Sequence, residues 1–240
     1  PSFHEADVSD KAENLKNLPL LTDAQISTIT DNYRGRLGAL KAVDDQVGKI
    51  ARNLKRSGEF KNTYFIFTSD NGYMQGEHRL RSSKFLPYED SARIPALIAG
   101  PGIKKNRTIN RPAMDVDLTA TIIDMAGAKR GRTMDGISLL PALRGKRKLP
   151  QRDLPLEAMR PLFVFYTPIT AFDLPYYGVR TDRYKYIHWS FDTNNIELYD
   201  LKKDPDELDN LANKPAFAAT VAKLEAEATR LRSCRGNTCR

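Results

Sequence analysis

The sequence has 240 residues, of which 40% are hydrophobic and 28% charged, with 38 Lys and Arg against 30 Asp and Glu. That length and balance suit one large core with a smaller unit beside it, and they exclude a fibre or a chain too polar to fold. No stretch approaches the ~18 consecutive apolar residues of a membrane helix, and the opening PSFHEADVSD has neither an initiator Met nor signal-peptide features, so the chain reads as processed or truncated.

Residues 1–21 read as an extended polar entry segment. Thr22-Asp23-Ala24-Gln25 then has the form of a capping box, with Thr22 as N-cap and Gln25 three residues on. Ile26, Ile29, Tyr33, Leu37, Leu40, Val43, Val47, Ile50 and Leu54 recur at spacings of three and four, which predicts one face of a long helix stopped by Gly58. Gly35 and Gly38 suggest a bend or a close packing contact. Asp44 and Asp45 lie between its apolar positions and suit packing or salt-bridging.

Tyr64–Ser69 is a continuous run of aromatic and β-branched residues, the pattern of a buried strand in a parallel sheet. It ends at Asp70-Asn71-Gly72 and a loop to about Arg93. Ile94–Ala99 predicts a second short buried strand, closed by Gly100-Pro101-Gly102. Asp115–Ala126 predicts a helix with Val116, Thr119, Ile122, Ile123 and Met125 facing inward. This order indicates an α/β sheet with crossover helices over residues 1–152.

Residues 153–240 read as a second, antiparallel α+β subdomain. Leu154–Met159, Tyr176–Arg180, Tyr184–Trp189 and Ile196–Tyr199 are short strand candidates, and polar residues alternating with aromatics in Tyr184–Trp189 predict one wet face. Lys214–Arg232 is an amphipathic helix with Phe217, Val221, Leu224 and Leu231 inward. Cys234 and Cys239 flank Gly236 in a loop that suits a small disulfide, and hence an oxidising compartment.

Charge is unevenly placed. Between Pro101 and Arg152 stand 12 Lys and Arg against four Asp, which accounts for the whole net charge of +8. A surface of this kind attracts polyanions. No RNA-binding signature, zinc-finger spacing or aromatic-basic interleaving points to nucleic acid.

The chemistry concentrates between Thr68 and Gly102. Ligands bind at the carboxyl ends of strands in α/β sheets. Asp70 and Asn71 offer there the hard oxygen donors that calcium takes. The following loop carries Glu77, His78, Arg79, Arg81 and Lys84, whose cationic members suit a tetrahedral oxyanion. Asn-Gly also signals a hairpin turn, but no partner strand begins after Gly72.

The stretch resembles the sulfatase family of the alkaline phosphatase superfamily. The resemblance rests on Thr68-Ser69-Asp70-Asn71-Gly72, Gly76-Glu77-His78, Lys84, Tyr88-Glu89-Asp90-Ser91-Ala92-Arg93-Ile94-Pro95 and Gly100-Pro101-Gly102. It extends to Phe3–Lys11, to Val43–Gly48, and to Glu197-Leu198-Tyr199-Asp200-Leu201 with Asp204-Pro205 and Asn210-Leu211-Ala212. It implies an alkaline-phosphatase-like fold and a calcium-dependent sulfatase acting on a sulfated carbohydrate or aryl sulfate, secreted or periplasmic. Asp70 and Asn71 map to metal ligands. Lys84 maps to the catalytic cation on the sulfate oxygens, and His78 is a candidate substrate contact or loop-ordering group. Glu89 and Arg93 are expected to pair behind the site, and Arg79 and Arg81 to be solvated. His4 and His188 receive no role.

The family's nucleophile is a formylglycine made from Cys or Ser in a C/S-x-P/A-x-R motif. No Cys or Ser here begins that motif, and the acidic pair and the Lys and His elements of the family's N-terminal part are not found. The chain therefore resembles the C-terminal half of a sulfatase. Formylglycine is expected on an N-terminal segment, and these residues are expected to be inactive alone. A phosphonate or phosphodiester hydrolase of the same superfamily, and a non-catalytic polyanion-binding module, are the alternatives.

Overall fold

The computed structural model describes residues 1–13, 15–158, 175–190 and 195–239. Helix α1 spans Asp23–Arg56, and its capping box forms as the sequence predicts: the Thr22 hydroxyl accepts from the Gln25 N–H, while the Gln25 side chain accepts from the Thr22 N–H. Ser57 caps its end, and Gly58 follows with φ of 79°. The apolar stripe of α1 is mostly uncovered. Ile29 is buried, but Tyr33, Leu37, Leu40, Val43, Val47 and Ile50 are exposed. Among the described residues, a side chain at Gly35 or Gly38 would meet nothing within 4 Å.

Strand β1 is Phe65–Thr68 and β2 is Ala96–Ala99; between them lies the short helix α2, Glu89–Ala92. β1 and β2 pair antiparallel, with Phe65 opposite Ala99 and Thr68 opposite Ala96. The sequence suggested buried strands of the parallel type. Here β1 is half-covered, with Phe67 exposed, and Leu97 of β2 is 62% exposed. Apolar composition sets the strand, but covering it needs a layer on each face, and none is packed on this ladder among the described residues.

Helix α3, Asp115–Met125, turns a different face inward from the one expected. Asp117, Ala120 and Thr121 are buried, while Val116 and Ile122 are exposed. The Asp117 carboxylate explains the rotation. It accepts from the N–H groups of Met114 and Ile137 and pairs with the buried Arg152 guanidinium. Helix α4, Leu140–Leu143, follows, within a small cluster of Ile137, Leu139, Ala142 and Leu149.

Strands β3 (Leu154–Ala158), β4 (Tyr176–Arg180), β5 (Tyr184–Trp189) and β6 (Ile196–Asp200) form an antiparallel meander in chain order. Met159, expected to end β3, lies outside the described residues. Helix α5, Ala218–Arg232, covers one face, burying Val221, Leu224, Ala228 and Leu231 against Val179, Tyr186 and Leu198. Cys234 and Cys239 are joined as a disulfide just beyond it.

The expected wet face of β5 is also buried. Ala12 and Leu15 pack there with Met74, Leu80, Leu86 and Tyr88, against Tyr176, Ile187, Trp189 and Tyr199. The opening segment, polar on average, is thus part of the core, with Val8, Ala12 and Leu15 essentially without exposure. This cluster crosses the boundary expected near residue 152. Among the described residues, no helix is long and apolar enough to cross a membrane.

Candidate functional site

Asp70 and Asn71 stand just past the carboxyl end of β1. The Asp70 Oδ1 accepts the Asn71 N–H at 2.9 Å, and Ser69 Oγ donates to the Asn71 carbonyl at 2.8 Å, so the turn holds itself in shape. Gly72 is required next. Its N–H donates to the Ser91 carbonyl, and a Cβ there would lie 2.0 Å from the Asp90 carbonyl oxygen. Asp70 is exposed and Asn71 half-buried. Both line an open, largely apolar cleft of about 2610 Å³, together with Asp44 and Asp45 of α1, Phe85 and Arg93.

The loop from Tyr73 to Tyr88 is fastened in layers. Met74 bridges Ser83, and Gly76 donates to the Leu80 carbonyl. The opening segment clamps the tip: His4 N–H donates to Gly76 O, and His78 N–H to Ser2 O, each at 2.9 Å. Arg79 is not solvated as expected. Its guanidinium donates to the carbonyls of Glu5, Leu18 and Ala6 at 2.8, 2.6 and 2.7 Å. Arg81 is exposed. Above the base of the loop, the Arg36 guanidinium of α1 lies 3.8 Å over the Tyr73 ring. The Tyr73 hydroxyl bonds Ser82, which, with nearby Arg36 and Lys84, holds its pKa below the ordinary phenol value despite partial burial.

The candidate residues separate into two groups. Lys84 is exposed, with its ammonium 5.1 Å from the Phe85 ring centre, and it does not line the cleft into which Asp70 and Asn71 open. His78 has no exposure at all. Its Nδ1 meets Glu5 Oε2 at 2.6 Å, its ring packs 4.4 Å from that of Tyr88, and its Nε2 has no hydrogen-bond partner. In this geometry His78 orders the loop from behind.

Behind His78 lies a buried ionic network, of which only Glu89 was expected to pair there. Lys11 pairs with Glu5 at 3.4 Å and donates to the Glu207 carbonyl at 2.6 Å. Glu197 accepts from the Ala12 N–H and from the hydroxyls of Tyr88 and Tyr199. Burial pushes the Glu197 carboxyl above its ordinary value, and Lys11 and these donors only partly offset it. Burial, and then the Glu197 charge, drive both tyrosines well upward. Lys185 sits between Glu89 at 2.9 Å and Glu207 at 2.7 Å. Glu89 therefore pairs with Lys185, and with Arg180 at 3.7 Å, rather than with Arg93. Burial raises the Glu89 carboxyl, but Lys185, then Arg180 and Arg93, outweigh it and hold it low. A signal for this network existed: Lys185 and Glu197 interrupt apolar strands, where a charge must find a partner.

Asp70 and Asn71 suit a hard cation by donor type. They supply two of the six to eight oxygens that calcium takes, and among the described residues no group of three or more His, Cys, Asp or Glu could hold a metal.

The same stretches carry the likeness to known proteins. The sulfatase family profile matches residues 3–128, and the profile for the C-terminal part of N-sulphoglucosamine sulphohydrolase matches 76–234. N-acetylglucosamine-6-sulfatase of Bos taurus is 34% identical over 92% of this chain, which spans 43% of that protein's length. A structure solved in complex with its substrate, D-glucosamine-2-N,6-O-disulfate, superposes with a TM-score of 0.71 at 30% identity, over 80% of this chain and 38% of that one. The phosphonate monoester hydrolase of Agrobacterium radiobacter gives 0.65 at 28% identity, over 80% of this chain and 39% of that one. Profile matches that together run from residue 3 to residue 234, through the Asp70 turn, the clamped loop and the β3–β6 meander, make this chain a member of the sulfatase family.

Proposed function

We propose that this chain provides the metal-turn and cation-loop portion of a sulfate ester hydrolase acting on a sulfated sugar or aryl sulfate. The observation that carries the reading is the Asp70-Asn71 turn, held at the end of β1 and open to the cleft, beside a loop that presents Lys84 to solvent. Asp70 and Asn71 would hold calcium, which when bound polarises the sulfate group. Lys84 would supply an exposed ammonium for the negative charge on the transferring oxygens. The Glu5–His78 contact and the Arg79 carbonyl clamp fasten the loop that carries it.

Cys234 and Cys239 are oxidised to each other, so neither serves as nucleophile. The formylglycine of this chemistry is assigned to sequence beyond these 240 residues. The disulfide supports a secreted or periplasmic setting.

The test sets the 240 residues against a polypeptide of the length of the relatives, each assayed with an aryl sulfate and a phosphonate monoester in calcium. The longer polypeptide should prefer the sulfate, and the 240 residues alone should turn over neither. Preference for the phosphonate would establish the second reading, which the likeness to a phosphonate monoester hydrolase favours. Calcium-dependent turnover by the 240 residues would overturn the assignment of the nucleophile.

A further inference from the structure

Two basic segments far apart in sequence meet at the end of the β1–β2 ladder opposite Asp70. Because β2 runs antiparallel to β1, the chain leaves Ala99 beside Phe65, about 10 Å from the Thr68 end at ~3.3 Å per residue. There the Tyr64 hydroxyl donates to the Pro101 carbonyl and accepts from Arg144 at 2.7 Å. The Lys104 N–H donates to the Leu143 carbonyl, and the Arg107 guanidinium to that of Ala142. Gly145, with φ of 72°, makes the junction possible: a Cβ there would lie 2.6 Å from Lys104 Cε and 2.8 Å from Arg107 Nη1.

The result is a compact cationic surface. Lys104, Lys105, Arg107, Lys146, Arg147 and Lys148 are all exposed, and no Asp or Glu occurs within 101–114 or 136–152. The nearby Asp124 is paired with Arg130 at 3.0 Å. Seven cations, counting Arg144, stand on two segments joined by the Lys104–Leu143 and Arg107–Ala142 hydrogen bonds, and so form one array. Arrays of this kind concentrate polyanions through summed field and counterion release.

We infer that this surface docks a sulfated glycan chain at the end of the cleft remote from the Asp70 turn, where Lys104 and Arg107 line it. The choice of glycan over nucleic acid rests on the sulfatase reading and on the surface itself. No aromatic residue occurs within 101–114 or 136–152, so the patch offers no stacking platform for bases. Sulfate groups along a sugar chain require only spaced cations, which Lys146, Arg147 and Lys148 provide beside Lys104 and Lys105.

The experiment uses the 240-residue chain and heparin as probe, with a duplex DNA of matched charge as comparison. Binding is titrated at several salt concentrations for the wild type, for K146A/R147A/K148A, and for a control, K61A/K203A/K223A, that removes the same charge at exposed positions outside the cleft. The first variant should bind heparin more weakly by on the order of tenfold at physiological salt and show a shallower salt dependence. The control should stay near wild type. Circular dichroism reports folding, and K104Q/K105Q repeats the test on the second segment. Unchanged heparin binding in both patch variants, or an equal loss in the control, overturns the inference. So does tighter binding of the DNA than of heparin. Because the readout is binding and not turnover, its failure leaves the hydrolase reading intact, and a failed turnover assay leaves the docking surface intact.

Discussion

His78 Nδ1 lies 2.6 Å from Glu5 Oε2, and both side chains are buried. The residues are 73 positions apart, so this contact ties the opening segment to the loop that presents Lys84. Removing one partner of a buried polar pair leaves the other desolvated and unsatisfied. Glu5→Ala should therefore cost about 3 kcal/mol, and Glu5→Gln distinctly less, read as the midpoint of urea unfolding. Hydrogen exchange should quicken at the amides of His78 and Leu80 before it does in β5. An unchanged midpoint would show that the contact carries no weight.

Glu197 gives a pH signature. Burial raises its carboxyl above the ordinary 4.5, more than Lys11, the Ala12 N–H and the tyrosine hydroxyls lower it. The native state thus holds this proton longer than the unfolded state. The stabilisation it contributes is complete below the ordinary carboxylate range and is lost as pH rises through the native value. Glu197→Gln keeps the shape without the charge. Its stability relative to wild type should improve as pH rises from about 4.5 and then level off. Parallel stability curves for the two proteins would refute the assignment.

Asp70 and Lys84 should part company in the longer polypeptide. Asp70→Ala should lower calcium affinity in calorimetry and turnover by on the order of 10²–10³. Lys84→Ala should spare calcium affinity and lower turnover alone. A collapse of calcium binding in the Lys84 variant would make that residue structural, and full turnover in the Asp70 variant at saturating metal would remove it from the site.

Two glycine substitutions should act in opposite directions. Gly72→Ala drives a methyl into the Asp90 carbonyl, backbone against backbone, and should cost about 1–3 kcal/mol. Gly35→Ala adds a methyl in open space within α1 and should stabilise by about 0.5–1 kcal/mol. Thermal unfolding of both variants checks the pair; a stabilised Gly72 variant would contradict the geometry at the turn.

The elements with a local cause were legible in the sequence. The Thr22 capping box, the β4 and β5 bounds and the buried positions of α5 follow from residues within a few places of one another. What depends on distant partners was not. The α3 face is set by Asp117 meeting Arg152, and the second face of β5 is covered by Ala12 and Leu15. Asp70 and Asn71 were legible as a turn at a strand end. The environment of His78 was not, since Glu5 looks like one charge among many in a polar opening segment.

The ties between residues 10–11 and 207–210 have a consequence for biosynthesis. Lys11 binds a carbonyl 196 residues later, and Asp10 accepts the N–H of Asn210. Translation runs at roughly 5–20 residues per second, so the first segment waits about 10–40 s for those partners to emerge. Met74, Leu80, Leu86 and Tyr88 emerge within that interval, so Ala12 and Leu15 meet part of their native core early, while Tyr176, Ile187, Trp189 and Tyr199 follow late. The core joining residues 8–15 to the β3–β6 sheet therefore closes only after β6, Ile196–Asp200, has left the ribosome.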